Sequence, residues 1–304
     1  MSGKPYILMN GEPVTQEQAL IPVTAPAVAY ASAVFEGIRA YWSEPDRQMY
    51  VFRLDDHLRR LQFSMRAMRY DERYDLQTLR EQVLKAIRVN EFRQDIHLRM
   101  TALITGVTAI TTSGPVTLAI TAGPYPPNQW VDRGMSVGVS SWQRVHDSAS
   151  PPRIKATANY SNGRLAMLEA RQHGYDAALM LTREGKLAEA PVATCFVVRD
   201  GQVLTPLSTD GILESITRDT LIKLFNRELE TPVHERSIDR TELYDAQEMF
   251  LCGSGWEVTP VASVDRIPMK AAAPGPLTCR VRETYLQAVR GALPARRDWL
   301  TPVW

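Results

Sequence analysis

The sequence predicts a mixed α/β protein built from a small N-terminal domain and a larger C-terminal domain. Apolar residues recur at helical spacing in several segments, as in Leu58, Leu61 and Met65. Between these segments lie short alternating stretches joined by tight-turn signals such as Asn10-Gly11 and Asp200-Gly201. Strand–helix–strand units are few, so a doubly wound nucleotide-binding sheet is not expected.

The individual elements follow from these signals in chain order. Asn10-Gly11 supplies the positive φ angles of a type I′ turn and predicts a first hairpin after residues 5–9. Asp55 or Asp56 is expected to cap the first long helix. Helices are also predicted over 76–90, 162–174 and 217–229, and a final helix is predicted to end at 287–291. Strands are predicted over 49–52, 96–104, 116–122, 135–141, 175–182, 187–190, 195–198, 203–205, 249–251 and 258–261.

The strongest break in the chain is the segment Ala-Gly-Pro-Tyr-Pro-Pro-Asn at residues 122–128. Two turn formers and a rigid pair of prolines are typical of a linker. The sequence therefore predicts an N-terminal domain over residues 1–122, a linker over 123–134 and a C-terminal domain over 135–304. No internal repeat is apparent.

Composition limits the function classes to consider. A formal net charge of +1 gives no reason to expect binding to nucleic acid or to a membrane surface. The three cysteines and five histidines are scattered, so neither a disulfide framework nor a metal site is expected. No apolar run reaches about eighteen residues and no basic-then-apolar signal opens the chain. The default expectation is a cytoplasmic enzyme.

Lys155 is the candidate for covalent chemistry. Of the six lysines, Lys4, Lys85, Lys186, Lys223 and Lys270 lie in a tail, in turns or on charged helix faces, whereas Lys155 follows Arg-Ile and precedes Ala-Thr-Ala. A lysine that acts as an amine needs a pKa below about 10.4, which burial or a neighbouring cation provides. Such a lysine could hold an aldehyde cofactor. The ordinary alternative is a lysine that extends to solvent from a loop.

A helix is expected to open just after Lys155. Ser161 or Asn162 could cap it, and the sequence places Leu165, Met167 and Leu168 on its apolar side.

Four further features could serve the same cofactor. Glu189, 34 positions after Lys155, could hold a pyridine nitrogen protonated. Thr217 opens a helix whose N-terminus suits a phosphate, and Ser254 between two glycines offers backbone N–H groups. Arg60 could clamp a phosphate with its guanidinium. Each feature alone is more often a surface residue, an N-cap or a simple turn.

The order of motifs makes the chain resemble the class IV pyridoxal-phosphate aminotransferases, most closely those for branched-chain amino acids. The resemblance covers nearly the whole chain. It is carried by Val34-Phe-Glu-Gly-Ile-Arg-Ala-Tyr41, Phe52-Arg-Leu-Asp-Asp-His-Leu-Arg-Arg-Leu61, Ser140-Ser-Trp-Gln-Arg144, the segment from Lys155 to Ala170, His173-Gly-Tyr-Asp176, Asp200-Gly-Gln-Val-Leu-Thr-Pro206, Ile216-Thr-Arg-Asp219, Glu242-Leu-Tyr244 and Glu257-Val-Thr-Pro260.

The resemblance implies the two-domain fold of that family, pyridoxal 5′-phosphate as cofactor and a role for each matching residue. Lys155 would join the cofactor aldehyde and carry a proton between the substrate α-carbon and the cofactor. The other expected cofactor contacts are Tyr160 at the phenolic oxygen, Glu189 at the ring nitrogen, and Arg60, Ile216, Thr217 and Ser254 at the phosphate. The expected substrate contacts are Tyr30, Phe35, Gly37, His97, Arg99, Ser254, Gly255 and Trp256.

The implied reaction moves an amino group from an L-amino acid with a branched or other apolar side chain to a 2-oxo acid such as 2-oxoglutarate. The family also implies a homodimer. A D-amino acid or amine transaminase and an aminodeoxychorismate lyase share the fold and are the alternatives. A catalytically idle binding protein is a third, disfavoured because Lys155, Tyr160 and Glu189 are all present.

The chain departs from the family pattern at three places. The usual Glu-Gly-x-Gly-x-Asn-x-Phe segment is Glu-Ala-Pro-Val-Ala-Thr-Cys-Phe at 189–196, and the usual Pro-Gly before Ile-Thr-Arg is Glu214-Ser215. The usual Tyr-x-Arg-Pro segment is His97-Leu-Arg99-Met100. Histidine can carry a charge where tyrosine does not. The natural substrate and the pathway are therefore left open, and a specialised pathway is one possibility.

Overall fold

A computed structural model describes residues 5–71, 74–107 and 109–304. Lys4, assigned above to the N-terminal tail, lies outside the described residues. Within the described part of the chain, no helix is long and apolar enough to cross a membrane.

The chain forms six α-helices and fifteen strands in the described residues. The helices are α1 Pro26–Ala29, α2 Leu54–Ala67, α3 Leu76–Arg88, α4 Asn159–Gln172, α5 Ile216–Arg227 and α6 Pro276–Val289. The strands are β1 Ile7–Met9, β2 Glu12–Val14, β3 Ala33–Ser43, β4 Gln48–Phe52, β5 Ile96–Ile104, β6 Val116–Pro124, β7 Met135–Val139, β8 Ala177–Leu179, β9 Thr194–Arg199, β10 Gln202–Thr205, β11 Val233–Glu235, β12 Glu248–Gly253, β13 Glu257–Val264, β14 Ile267–Pro268 and β15 Leu300–Pro302.

These elements divide into two compact units. The first contains the chain up to Pro126 together with Ile154–Ala158 and Gln287–Trp304, and the second contains Pro127–Arg153 and Asn159–Leu286. The chain leaves the first unit after Pro126 and returns to it at Ile154–Ala158 and at Gln287–Trp304. A linker over residues 123–134 stays a prediction.

The first unit is built on an antiparallel sheet of seven strands in the order β15-β4-β3-β5-β6-β1-β2. Even-numbered residues of β5, from Ile96 to Ile104, are buried, while the odd-numbered ones are partly or fully exposed. The buried face packs on α2 and α3 through apolar residues that recur at helical spacing, including Leu58 and Leu61 on α2 and Leu79 and Val83 on α3. The opposite face of the sheet carries the odd-numbered residues of β3 and β5.

The segment 154–158 joins the first unit because it continues the sheet beside β3. On β3, only the second half, from Ala40 to Ser43, pairs with β4. Beside the first half, Phe35 N–H donates to the Lys155 carbonyl at 3.0 Å and Thr157 N–H donates to the Ala33 carbonyl at 2.9 Å. Lys155 is thereby held to a strand of the first unit by backbone hydrogen bonds.

The second unit is built on an eight-stranded mixed sheet. Seven strands follow the order β11-β10-β9-β12-β13-β7-β8, and β14 pairs with β13. The pairs β10–β11, β13–β7 and β7–β8 are parallel and the others are antiparallel. Its central strands are buried on both faces; Phe196 of β9 stacks on Phe250 of β12 with ring centroids 5.0 Å apart.

Two predicted helix starts need correction. Helix α2 begins at Leu54 behind Arg53, which has φ +46°, and neither Asp55 nor Asp56 is its cap. Helix α4 begins at Asn159, so Ser161 and Asn162 lie inside it and cap nothing. Helix α6 spans Pro276–Val289, so it ends within the residues 287–291 that were predicted to close a final helix. At α2, Arg53 N–H donates to the Trp299 carbonyl at 2.7 Å, a tertiary contact that overrides the local capping signal.

The apolar side predicted for α4 is wrong for two of its three residues. Leu165 and Leu168 are exposed, whereas Met167 packs against the core of the second unit. The buried positions of the helix are the small residues Gly163, Ala166 and Ala170. Gly163 lies against the turn after Glu189, because a side-chain carbon there would come 3.0 Å from Cβ of Pro191.

The predicted tight turns are confirmed. Asn10 and Gly11 have φ of +48° and +87°, as a type I′ hairpin requires, and Asp200 and Gly201 follow the same pattern between β9 and β10. Gly174, with φ +78°, lies just beyond the end of α4.

The strand predicted over 187–190 is not one of the sheet strands. The segment makes isolated bridges, including Leu187 to Leu181, and Glu189 accepts from Met180 N–H through its carbonyl at 3.0 Å.

Candidate active site

In the first unit, Lys155 is anchored from two sides. Its carbonyl accepts from Phe35 N–H on β3, and its own N–H donates to Ser64 Oγ on α2 at 3.2 Å. Its amine Nζ lies 4.9 Å from the centroid of the Phe35 ring. The side chain is half-buried. The four other described lysines each pair with a carboxylate, at 3.7 Å for Lys85, 2.6 Å for Lys186, 2.7 Å for Lys223 and 2.5 Å for Lys270.

Four of the predicted substrate residues lie together on β3 and β5, on the sheet face opposite α2 and α3. The register pairs Gly37 with Arg99, so Phe35, Gly37, His97 and Arg99 share one face. The Arg99 guanidinium carbon lies 3.5 Å from the Phe35 ring centroid. A side-chain carbon at Gly37 would come 3.1 Å from His97 Nε2, so His97 lies over the glycine. Tyr30, in contrast, is 46% exposed at the end of α1.

His97 is an uncharged ring in this cluster. Burial lowers its pKa to about 4, and the charges of Arg39 and Arg99 act in the same direction. Its ring lies 5.6 Å from that of Tyr125. The difference from the family's tyrosine is therefore one of size and hydrogen bonding near pH 7, and not one of charge.

Arg60 is held on α2 by a buried carboxylate. Its Nε donates to Glu36 Oε1 at 2.7 Å and its Nη2 donates to Glu36 Oε2 at 2.8 Å. His57 Nδ1 lies 2.7 Å from Glu36 Oε2. Burial acts to raise the pKa of Glu36, but the charge and hydrogen bonds of Arg60, with those of His57, outweigh it and lower the pKa to about 2. The carboxylate fixes the direction of the Arg60 fork.

In the second unit, the first turn of α4 packs against the turn at Pro191-Val192. Tyr160, the second residue of α4, and Gly163 are three positions apart and share a helix face. Gly163 lies against Pro191. The C-terminal end of β12 packs on the same turn, because a side-chain carbon at Gly253 would come 3.3 Å from the Val192 carbonyl. The contacts bring α4, the residues after Glu189 and the turn after β12 to one end of the sheet.

The altered segment after Glu189 keeps a tight turn without glycine. Ala190 N–H donates to the Ala193 carbonyl at 2.8 Å, and the reciprocal bond measures 3.4 Å. Neither Ala190 nor Val192 has a positive φ. The two family glycines are therefore not required by the backbone of this turn.

Glu189 is a buried carboxylate fixed on both oxygens. Arg144 Nη2 lies 2.7 Å from its Oε1, with both side chains 7% exposed, and Leu213 N–H donates to its Oε2 at 3.3 Å. Leu213 belongs to the loop that leads into α5. Glu189 is thus linked directly to the helix start that carries Ile216 and Thr217.

Helix α5 begins with a formed cap. Ser215 has extended φ/ψ, and its Oγ accepts from Arg218 N–H at 3.2 Å. The change from Pro-Gly to Glu214-Ser215 therefore places a capping residue at the helix start. Glu214 pairs with Arg153 at 3.0 Å, two positions before Lys155. Thr217 is buried in the first turn, where helix N–H groups favour an anion.

The turn between β12 and β13 carries Ser254, Gly255 and Trp256. Trp256 N–H donates to the Gly253 carbonyl at 3.2 Å. Asn128 Nδ2 donates to the Trp256 carbonyl at 3.1 Å, and the Trp256 ring packs on Trp130. Contacts with Asn128 and Trp130 therefore hold the turn in place, and its N–H groups can bind an anionic group.

The amino-acid sequence and the fold both match known proteins. Residues 33–264 match the sequence profile of Amino-transferase class IV. A probable branched-chain-amino-acid aminotransferase of Aquifex aeolicus (strain VF5) is 35% identical over 301 residues, covering 98% of this chain and 97% of the relative. The chain belongs to the class IV aminotransferases. The resemblance drawn from the motifs is therefore confirmed, as are the mixed α/β fold class and the transaminase activity.

Solved structures match over the full length. The branched-chain amino acid aminotransferase of Thermobaculum terrenum, in its PLP form, has a TM-score of 0.94 and 41% identity, and each chain covers 100% of the other. The enzyme of Thermoproteus uzoniensis with norvaline has a TM-score of 0.94 and 38% identity, covering 99% of this chain and 100% of that one. The cofactor of this aminotransferase is pyridoxal 5′-phosphate.

The residues present fit that cofactor within each unit. The first unit offers an amine at Lys155 and a cationic guanidinium at Arg60, whose Nε and Nη2 are held by Glu36. The second offers a buried carboxylate at Glu189 and a capped helix N-terminus at Thr217. These are the chemical types that an aldehyde, a phosphate and a ring nitrogen each require.

Sequence reasoning missed the residues that hold these groups in place. Arg144, Glu36 and His57 stand in the sequence only as members of the family motifs, and no motif contains Ser64. One sequence signal points to buried ion pairs here. Two charged residues, Glu36 and Arg39, lie in an otherwise apolar run on β3, where a charged side chain usually has a partner. No sequence signal joins Arg144 to Glu189, because 45 positions separate them.

Proposed function

We propose that this aminotransferase moves an amino group between an L-amino acid with a branched or other apolar side chain and a 2-oxo acid such as 2-oxoglutarate. The relatives named above are branched-chain aminotransferases, and one of them was solved with norvaline, which has an apolar side chain.

The observation that carries the proposal is the arrangement around Phe35. One ring lies beneath both the Lys155 amine, at 4.9 Å, and the Arg99 guanidinium, at 3.5 Å. An apolar side chain gains from contact with such a ring, and the side-chain carboxylate of glutamate or 2-oxoglutarate gains from the guanidinium. The apolar amino acid and the 2-oxo acid would therefore each make a favourable contact beside the Lys155 amine.

The proposed roles follow the chemistry of each group. Pyridoxal 5′-phosphate, when bound, supplies a ring that accepts the electrons of the bond broken at the substrate α-carbon. Lys155 Nζ would take the proton from that carbon and deliver it to C4′ of the cofactor. Glu189 faces the ring nitrogen and Tyr160 the phenolic oxygen. The phosphate is held by Arg60, Ile216, Thr217 and Ser254.

Substrate recognition is assigned to two groups of residues. In the first unit, Phe35, Gly37 and His97 form an apolar and neutral wall, with Tyr30 at its edge and Arg99 as the cation. In the second unit, N–H groups of Ser254 and Gly255 receive the substrate α-carboxylate, and Trp256 closes the turn. A homodimer remains a prediction from the family resemblance, and a cytoplasmic location remains a prediction from the sequence; sedimentation of the purified holoenzyme measures the first.

A substrate panel tests the proposal. The holoenzyme is assayed with L-leucine, L-isoleucine, L-valine, L-norvaline, L-alanine, D-leucine and a primary amine, each with 2-oxoglutarate. We expect the apolar L-amino acids to give the highest kcat/KM. Faster turnover of D-leucine or the amine, or no product from any apolar L-amino acid, would overturn the assignment.

A lysine variant separates the enzyme from a binding protein. Lys155→Ala should lose the absorbance of lysine-bound cofactor near roughly 400–430 nm and all turnover, since no other amine replaces its Nζ. Lys186→Ala is the matched control, because Lys186 pairs with Asp239 at 2.6 Å in a surface ion pair. Retention of that absorbance in Lys155→Ala would contradict the role of Lys155.

A further inference from the structure

Arg144 is the cation of a buried ion pair that no role above uses. Its Nη2 lies 2.7 Å from Glu189 Oε1, and its Nε donates to the Gly211 carbonyl at 3.1 Å. Its own backbone N–H donates to the Leu181 carbonyl at 2.8 Å. The guanidinium is therefore fixed by its backbone, by the Gly211 loop and by the carboxylate.

We propose that Arg144 is a positioning residue that holds the Glu189 carboxylate in place for the ring nitrogen of the cofactor and ties it to the loop leading into α5. The proposal rests on the cofactor role assigned to Glu189 under the proposed function. Arg144 itself touches neither ring nor substrate in this assignment; it acts through Glu189.

The carboxylate of Glu189 is held on both of its oxygens. Arg144 pairs with Oε1, and Leu213 N–H donates to Oε2. The carboxylate therefore cannot rotate without losing one of these two contacts.

The charge of Arg144 serves the same end. A guanidinium stays protonated throughout the pH range of enzymes. A buried carboxylate without a cation would be costly to keep ionised and would rotate or recruit water. With Arg144 beside it, Glu189 presents a fixed negative oxygen, which is what a protonated ring nitrogen needs.

The second link runs to the phosphate end. Gly211, whose carbonyl accepts from Arg144, and Leu213, whose N–H donates to Glu189, lie in the loop that continues through Ser215 into α5. Movement of Arg144 would therefore disturb the Glu189 carboxylate and the start of α5 together. We expect its loss to affect both the electronic state of the cofactor and its binding.

A double-mutant cycle tests the proposal. Arg144→Met, Glu189→Gln and the double variant are loaded with pyridoxal 5′-phosphate, and the single-turnover rate is measured with the fastest amino acid of the panel. Arg144→Met should slow this rate about 10- to 100-fold, as loss of an outer partner of a functional ligand does. In the Glu189→Gln background the same change should cost less than about threefold, because the two residues act as one unit. Multiplicative effects would overturn the proposal.

Two readouts do not depend on turnover. The dissociation constant of pyridoxal 5′-phosphate from the apoprotein should rise at least about threefold in Arg144→Met. The pH dependence of the bound cofactor's absorbance should also shift in Arg144→Met and in Glu189→Gln, by the same amount in the single and double variants. A merely structural role would lower the thermal midpoint and leave that spectrum unchanged. Neither readout requires the branched-chain assignment to hold, so failure of that assignment can be distinguished from failure of the Arg144 proposal.

Arg236→Met is the matched control. Arg236 also pairs with a glutamate of the second unit, through Nη1 and Nη2 to Glu242 at 2.9 and 2.6 Å, and its change should leave rate and spectrum at wild-type values. If Arg144→Met does not fold, Arg144→Lys replaces it. A lysine keeps the charge but cannot bridge Glu189 and Gly211 at once, so an intermediate rate is expected; a wild-type rate and spectrum in Arg144→Lys would contradict positioning by the fork.

Discussion

At the scale of single residues, the substrate wall of the first unit depends on how His97 lies over Gly37. A side-chain carbon at Gly37 would come 3.1 Å from the imidazole, so the glycine provides the space that the ring occupies. The ring is neutral near pH 7 because its pKa is about 4. Its contribution to selectivity is therefore one of shape and hydrogen bonding.

His97→Tyr should raise kcat/KM for L-leucine and L-isoleucine relative to L-norvaline. The phenol restores the side chain of the family pattern and extends beyond the imidazole over the same glycine. The ratio of kcat/KM values across the panel measures the effect, which is expected to be roughly 10-fold, a typical value for one added contact in an apolar pocket. Trp142→Tyr, at an exposed position of the second unit, serves as the control. An unchanged ratio in His97→Tyr would place His97 outside the pocket.

Residue types in order along the chain predict Lys155, Glu189 and Thr217 as candidate groups of the site, because each has characteristic neighbours in sequence. The residues that hold them could not be predicted. Glu36 meets Arg60 across 24 positions, and Arg144 meets Glu189 across 45. Such pairs depend on which strands and loops become neighbours, which a single sequence does not specify.

At the scale of secondary-structure elements, α2 is held to β3 by a buried charge network. Glu36 on β3 accepts from Arg60 and lies 2.7 Å from His57, both on α2. The pKa of Glu36 is lowered from 4.5 to about 2, and burial also lowers the pKa of His57 from 6.5. Both groups have depressed values in the folded state, so both contribute stability that is present above the unfolded-state pKa and lost as pH falls.

Glu36→Gln should lower the free energy of unfolding at pH 7 by about 3 kcal/mol, because it leaves Arg60 without its buried counter-charge. It should also remove the part of acid destabilisation that wild type shows between pH 4.5 and 2. Urea unfolding at a series of pH values measures both. The exposed Glu81→Gln on α3 is the control. The same acid slope in Glu36→Gln as in wild type would contradict the role of Glu36.

Variants of two helix-cap residues distinguish an effect on stability from an effect on cofactor binding. Ser215 caps α5 and Asp75 caps α3, where its carboxylate accepts from Thr78 N–H at 2.7 Å. Ser215→Ala and Asp75→Ala should each cost about 1 kcal/mol of stability. Only Ser215→Ala should weaken binding of pyridoxal 5′-phosphate, since only α5 is assigned to the phosphate. Chemical unfolding and cofactor titration measure the two effects, and equal cofactor affinity in both variants would remove α5 from the phosphate site.

Elements with strong periodicity were predicted well, and their ends were not. Helix α3 is predicted over 76–90 and found at Leu76–Arg88, and β5 is found as predicted at Ile96–Ile104. Helix α2 instead starts behind a residue in the left-handed region, Arg53, whose N–H donates to the Trp299 carbonyl at 2.7 Å. A contact with a residue 246 positions later overrides the capping signal of the nearby aspartates.

At the scale of the whole molecule, the first unit is completed by segments that are distant in sequence. Residues 154–158 pair with the first half of β3, and β15 pairs with β4 from Leu300 opposite Phe52 to Pro302 opposite Tyr50. The proline-rich break is visible in the sequence, but these two returns to the first unit were not predictable. Strand pairing has no sequence signal when the partners lie hundreds of positions apart.

Removal of residues 300–304 should therefore destabilise the first unit selectively. Val303 is fully buried, its N–H donates to the Met49 carbonyl at 3.0 Å, and its carbonyl accepts from Arg88 Nε at 2.7 Å. Loss of that side chain alone costs at least about 2 kcal/mol, and β4 becomes an exposed sheet edge.

Amide hydrogen exchange with mass spectrometry locates the effect of this truncation. Exchange should accelerate in β3 and β4 of the truncated protein, while β9 and β12 of the second unit keep wild-type protection, because no strand of their sheet is removed. Trp304→Ala is the control: it alters only the half-exposed last residue and leaves β15 in place. Equal acceleration in both sheets would mean that the units unfold as one, and no acceleration would mean that β15 contributes little to the sheet. Either outcome would contradict the view that the chain's last strand completes the first unit.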